Sequence, residues 1–187
     1  AVQKIVVQLL HQLAFRADCV ERLQQKRPQK PLRRDRRSPL CRVELRKFAI
    51  EVGEHPAHVV VDQTGRYAFV SLSGEDAVAV VDLKTHEVAR TIETGGYPHG
   101  LRISPDGDTI YVANVEGDNV SVLDTSTYAE LARIPVGDAP VQVGFTPDGS
   151  HAYVSLRDQE RVAVIDTATR EVTKEIEVGP NPIQVHV

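Results

Sequence analysis

The sequence predicts an all-β protein assembled from repeated four-stranded antiparallel units. Three observations carry that prediction. Gly53, Gly95, Gly137 and Gly179 stand 42 residues apart, and so do Pro56, Pro98, Pro140 and Pro182. Between these markers apolar residues alternate in short runs, the period of a half-buried strand. The runs are divided by turn-forming clusters of Gly, Pro, Asp, Asn, Ser and Thr. Trp and Met are absent and aromatics make up 5% of the chain, so the core must come from Val, Ile, Leu and Ala.

The second unit shows the elements most plainly. Residues 101–103 begin an apolar alternation after Gly95-Gly96-Tyr97-Pro98. Ser104-Pro105-Asp106-Gly107 is a turn, with Pro presetting φ and Gly accepting a positive value. Residues 109–114 form the second strand, and Glu116-Gly117-Asp118 the next turn. Residues 119–124 alternate through Val120 and Val122, Thr125-Ser126-Thr127 turns the chain, and 129–136 complete the meander. Asp82, Asp124 and Asp166 each end a strand and are followed three residues later by Thr85, Thr127 and Thr169. A carboxylate placed there accepts turn N–H groups, and the hydroxyl supports it.

Four strands in a repeat of about 40 residues are the pattern of a propeller blade. A blade packs on neighbours through both faces. That accounts for paired valines on one face (Val78 with Val80, Val120 with Val122, Val162 with Val164) and for Val81, Leu123 and Ile165 on the other. Complete blades are expected over about 56–94, 98–136 and 140–178, with partial strands at 46–52 and 183–187. Closed propellers need about 4–8 blades. The expectation is therefore an incomplete ring, part of a longer chain, able to self-associate through its open end blades.

The run Gly95-Gly96-Tyr97-Pro98, then Pro105-Asp106-Gly107, Tyr111-Val112-Ala113-Asn114 and Val120-Ser121-Val122-Leu123-Asp124 resembles the YVTN family of β-propeller repeats. The third copy has Tyr153-Val154-Ser155-Leu156, and the first has Phe69-Val70-Ser71-Leu72 with Gln63-Thr64-Gly65 in place of Pro-Asp-Gly. The resemblance covers about residues 46–187. It implies a seven-bladed ring and a protein exported to the periplasm or cell surface of a bacterium or archaeon. It specifies a fold more than a chemistry, because propellers host many functions.

Charge divides the chain. Residues 1–47 hold 13 Lys and Arg against 4 Asp and Glu, whereas residues 48–187 hold 9 against 22. A net of −13 repels phosphate, so no nucleic-acid partner is expected for the propeller part. No apolar run is long enough for a membrane span. In the basic arm, residues 1–45, a helical period through Ile5, Leu9 and Leu13 is expected to run to about residue 26, with Pro28 stopping it. Seven cations between Lys26 and Arg37 then predict a disordered stretch. The apolar stretch is interrupted by Gln8, His11 and Gln12, so no signal peptide is visible. Cys19 and Cys41 fit neither a zinc spacing nor a haem-attachment motif, and their redox state stays open.

Candidate chemistry gathers in two sets of loop residues. His55, His58 and His99 lie where the chain enters first strands, near the mouth of a propeller's central channel, and imidazoles there suit a metal or an anionic ligand. Glu75, Asp76, Glu116, Asp118 and Asp158 repeat between second and third strands and suit cations. For both sets the plain alternative is solvated loop chemistry. No G-x-S-x-G elbow, S-x-x-K motif, P-loop or Rossmann fingerprint is present. No catalytic residue is assigned, and metal and cofactor stay unknown. The expected function is a non-catalytic binding or scaffolding module that recognises a protein, a small ligand or a metal at its loop face. The resemblance implies an alternative: a propeller subunit or domain of a periplasmic redox enzyme, similar to amine dehydrogenases or haem nitrite reductases, or a lactonase-like enzyme, with His58 and His99 nearest the site.

Overall fold

A computed structural model describes residues 3–8 and 47–185, with side chains from residue 49 onward. Two compact units are present: Ala1–Ile5 with Ile50–Val187, and Val6–Ala49. Strands β1 (Gln3–Gln8) and β2 (Lys47–Gly53) pair as a two-stranded sheet. The helix expected from the N-terminal period is not formed over Gln3–Gln8. The β-branched run Ile5-Val6-Val7 favours an extended chain. Residues 9–46, with both cysteines and the basic stretch, lie outside the described residues.

Three four-stranded antiparallel sheets follow. Blade 1 consists of β3 (Pro56–Val61), β4 (Tyr67–Leu72), β5 (Ala77–Asp82) and β6 (Glu87–Glu93). Blade 2 consists of β7 (Pro98–Ile103), β8 (Thr109–Asn114), β9 (Asn119–Asp124) and β10 (Glu130–Pro135). Blade 3 consists of β11 (Pro140–Phe145), β12 (His151–Leu156), β13 (Arg161–Asp166) and β14 (Glu171–Glu177). Each sheet is a meander in chain order. The protein is thus all-β, three blades of a propeller in an open ring. Of the last expected strand, 183–187, residues 183–185 are described and carry no regular structure; Val185 is nonetheless buried and lies against Gly144 of β11.

The cores lie between blades. Phe69, Val78 and Val80 of blade 1 pack with Leu101, Ile110, Val112 and Leu123 of blade 2. On the opposite face of blade 2, Tyr111, Val120 and Val122 meet Val143, Val154 and Ile165 of blade 3. Tyr111 stands edge-on to Phe145, ring centroids 5.0 Å apart at 82°, a favoured aromatic geometry. Strand alternation produces this division, since successive side chains face opposite blades. On the first and last blades the pattern is less complete: Val59 and Val61 of β3 are exposed although Val70 beside Val59 is buried, and Tyr153 and Val162 of blade 3 are only partly buried.

Polar turns close each unit. The Asp124 carboxylate accepts the N–H groups of Ser126 (2.9 Å) and Thr127 (2.7 Å). Asp82 does the same for Lys84 and Thr85, and Asp166 for Ala168 and Thr169. These donors hold all three carboxyls below the ordinary carboxylate range: Lys84 N–H most for Asp82, Thr127 N–H for Asp124, Thr169 N–H for Asp166. A lowered native pKa gives stability that is complete above the unfolded value near 4 and lost as pH falls through the native one. The melting temperature is therefore expected to drop on acidification from pH 5 to pH 2. Asp124→Asn keeps the acceptor oxygen but removes the charge, so its melting temperature should fall less over the same interval, as read by circular dichroism. Parallel slopes would assign the acid loss elsewhere.

Candidate functional site

At one edge of the blades two kinds of loop meet. Entry loops (residues 53–56, 95–98 and 137–140) precede each first strand, and the loops 73–76, 115–118 and 157–160 join each second strand to the third. Backbone bonds tie the two within a blade: Ser73 N–H donates to the His55 carbonyl, Val115 N–H to that of Tyr97, and Arg157 N–H to that of Ala139. His55, Tyr97, Ala139 and Asn181 share a left-handed backbone, φ between 47° and 53°, immediately before each proline. His55 therefore occupies a conformational position that Tyr, Ala and Asn fill in the other units. Its side chain is exposed.

Three of the sequence-predicted carboxylates serve these loops. Asp76 accepts the Tyr97 N–H of the next blade at 2.8 Å, and Asp118 accepts the Ala139 N–H at 3.1 Å. Glu75 accepts the Glu54 N–H at 2.8 Å within blade 1. These bonds fix the spacing of neighbouring loops and cap otherwise unpaired N–H groups.

The remaining pair, Glu116 and Asp158, faces a cleft of about 560 Å³ between blades 2 and 3. Tyr97, Asp118, Asp138 and Arg157 line it as well. Four carboxylates thus surround one guanidinium, and that guanidinium is engaged: Arg157 Nε donates to Asp158 Oδ1 at 2.8 Å. The pair holds the Asp158 carboxyl below the usual range. The cleft carries excess negative charge beside an exposed aromatic ring, an arrangement that attracts cationic groups. Among the described residues no group of three or more His, Cys, Asp or Glu is placed to hold a metal ion.

His58 and His99 sit apart from the cleft, on the innermost strands. Each of those strands carries a register shift just after its proline, between Pro56 and Val59, Pro98 and Leu101, and Pro140 and Gln142. His58 falls in the first bulge and His99 in the second. A bulge re-aims side chains away from the pleat. The Ser71 hydroxyl accepts the His58 N–H (3.0 Å) and donates to the His99 carbonyl (2.6 Å), so the two bulges lie side by side.

Sequence reasoning missed Tyr97, Asp138 and Arg157 in the cleft. Its search tracked positions that recur, whereas these depart from the repeat: Asp138 stands where units one and two have Glu54 and Gly96, and Arg157 where they have Ser73 and Val115. Asn114 is a further departure. It is fully buried where the other blades bury Leu72 and Leu156, and its Nδ2 donates to Asn119 (2.8 Å) and Ser121 (2.9 Å).

Comparison with known proteins agrees with this architecture. A family model described as YNCE-like beta-propeller matches residues 40–187. No curated protein matches the chain. Among solved structures, a chain of Kuenenia stuttgartiensis hydrazine synthase is 32% identical, with a TM-score of 0.65, over 68% of this chain and 37% of that one. A putative 6-phosphogluconolactonase from Bacteroides fragilis is 20% identical, with a TM-score of 0.64, over 72% of this chain and 43% of that one, a likeness of fold alone. The chain spans about two fifths of the length of these structures.

Proposed function

The chain belongs to the YNCE-like β-propeller family, and from that premise we propose that it is a non-catalytic binding module whose loop edge takes a cationic group of a partner protein. The observation that carries the reading is the cleft between blades 2 and 3. Its walls are held by the Asp118 to Ala139 bond and by backbone bonds between loops, so the site is formed before a ligand arrives. Glu116 and Asp138 supply charge to a lysine or arginine, and Tyr97 offers a ring face. The three blades contribute one arc of a larger ring, and the exposed Val59 and Val61 seat either a further blade or a second copy. The YVTN resemblance supports a periplasmic or cell-surface location. Among the described residues no helix is long and apolar enough to cross a membrane.

A lysine-rich peptide titrated into isotope-labelled protein tests this. The amides of Tyr97, Glu116 and Asp138 should shift saturably. The Glu116→Gln, Asp138→Asn double variant should bind about fivefold to tenfold more weakly, the effect of removing two exposed charges. Shifts elsewhere, or equal affinity in the variant, would remove the cleft from consideration.

The likeness to a hydrazine synthase chain favours a second reading, a propeller subunit within a redox enzyme assembly. The visible spectrum and metal content of the purified protein separate the two. A Soret band or stoichiometric metal supports the enzyme reading.

A further inference from the structure

We propose that the innermost strands carry a second ligand site, for a small oxyanion, built from His58, His99 and Arg102. It is separate from the loop-edge cleft and does not depend on it. The bulges of β3 and β7 bring the first two residues together through the Ser71 hydroxyl, which bonds to both backbones. His99 Nδ1 is buried and has no hydrogen-bond partner. A buried polar nitrogen left open costs stability and marks a place where a ligand or water completes the structure. The His58 side chain makes no hydrogen bond among the described residues either.

Arg102 decides the sign of the ligand. It follows the same bulge on β7, at a register where the other blades have Val60 and Gly144, so the repeat does not require it. It forms no ion pair among the described residues, unlike Arg66, Arg133, Arg157 and Arg161, each of which holds a carboxylate. Burial pushes the His58 imidazole down from its ordinary value, and His99 and Arg102 push it further. Both of those groups are cationic when charged, and no carboxylate acts on His58 in the opposite sense. Two imidazoles alone suit a transition metal as well as an anion. The Arg102 guanidinium, whose charge is felt at His58, disfavours a metal ion there and attracts an oxyanion, to which a guanidinium can donate paired N–H bonds.

Inorganic phosphate and acetate, titrated separately into protein labelled at histidine, test the proposal. Saturable movement of the His58 and His99 ring signals is expected with at least one of them. Which one binds tells a tetrahedral oxyanion from a carboxylate. Arg102→Gln should weaken binding about tenfold, the loss of a charge-assisted hydrogen-bond pair, and Arg102→Lys should restore part of it. The Tyr97 and Glu116 amides should stay still throughout. Unmoved ring signals, affinity indifferent to Arg102→Gln, or zinc bound stoichiometrically through both imidazoles would each overturn it.

Discussion

Leu101→Ala is expected to destabilise the protein by about 2–5 kcal/mol, among the largest losses available to a single truncation here. Leu101 is 0% exposed and packs with Phe69, Val78 and Val80 across the junction of blades 1 and 2. Truncation forfeits its transfer energy and leaves a cavity that two sheets, each tied to its own ladder, are poorly placed to close. A matched pair isolates the cause. Val59 and Val143 occupy the Leu101 register in blades 1 and 3 and carry the same side chain. Val143 is 0% exposed and Val59 is 38% exposed. Val143→Ala should therefore cost about 1.5–2.5 kcal/mol, and Val59→Ala less than about 1 kcal/mol. Denaturant midpoints with unchanged m-values provide the measurement. Equal losses at 59 and 143 would mean that the face of β3 is covered after all. In a longer protein with a blade seated on that face, Val59→Ala should become as costly as Val143→Ala.

That comparison also shows what kind of information the repeat contains. The 42-residue spacing reveals blade number, strand order and which valines share a face, because each of those properties recurs and a period detects recurrence. The Asp82, Asp124 and Asp166 turns were legible for the same reason. The equivalent cap two turns earlier, between first and second strands, was not. Asp62 accepts Tyr67 N–H, Ser104 accepts Thr109 N–H and Thr146 accepts His151 N–H, at 3.0–3.1 Å. Three residue types perform one task, so no letter repeats. The bulges were hidden for another reason. One extra residue in a strand leaves no mark on a period measured from proline to proline, yet it determines where His58 and His99 point. The candidate site was therefore half legible. Glu116, Asp118 and Asp158 recur in loops and were found, whereas Tyr97, Asp138, Arg157 and Arg102 lie at positions where one unit departs from its siblings. Reading function in such a chain means subtracting the repeat and asking what each remainder does.

Gly100 is the departure with the clearest energetic consequence. In blade 1 the same register holds His58 and in blade 3 Gln142, so a side chain is compatible with the local backbone. Gly100 nonetheless has no room for one. A Cβ there would collide with the Val141 carbonyl oxygen and the Gln142 Oε1, and would stand 2.8 Å from the Gln142 Cα. Two of those three atoms are backbone of β11, so relief requires blades 2 and 3 to part along a junction that buries Tyr111, Val122, Val143 and Val154. Replacing Gly by Ala restricts the unfolded chain and contributes about 0.4–1 kcal/mol toward stability. The steric term acts the other way and is larger, about 3 kcal/mol or more for overpacking against a backbone that cannot yield. Gly100→Ala should thus lower the unfolding free energy by at least about 2 kcal/mol. Gly96→Ala provides the control, because its nearest neighbour, Glu116 Cβ, is 3.5 Å away, an ordinary contact; the entropic term alone should leave that variant at or slightly above the parent stability. Shortening Gln142 to Ala in the Gly100→Ala background removes only the side-chain obstacle. The Val141 carbonyl remains, so rescue should be partial, and full recovery in the double variant would show that the carboxamide, not the backbone of β11, closes the junction.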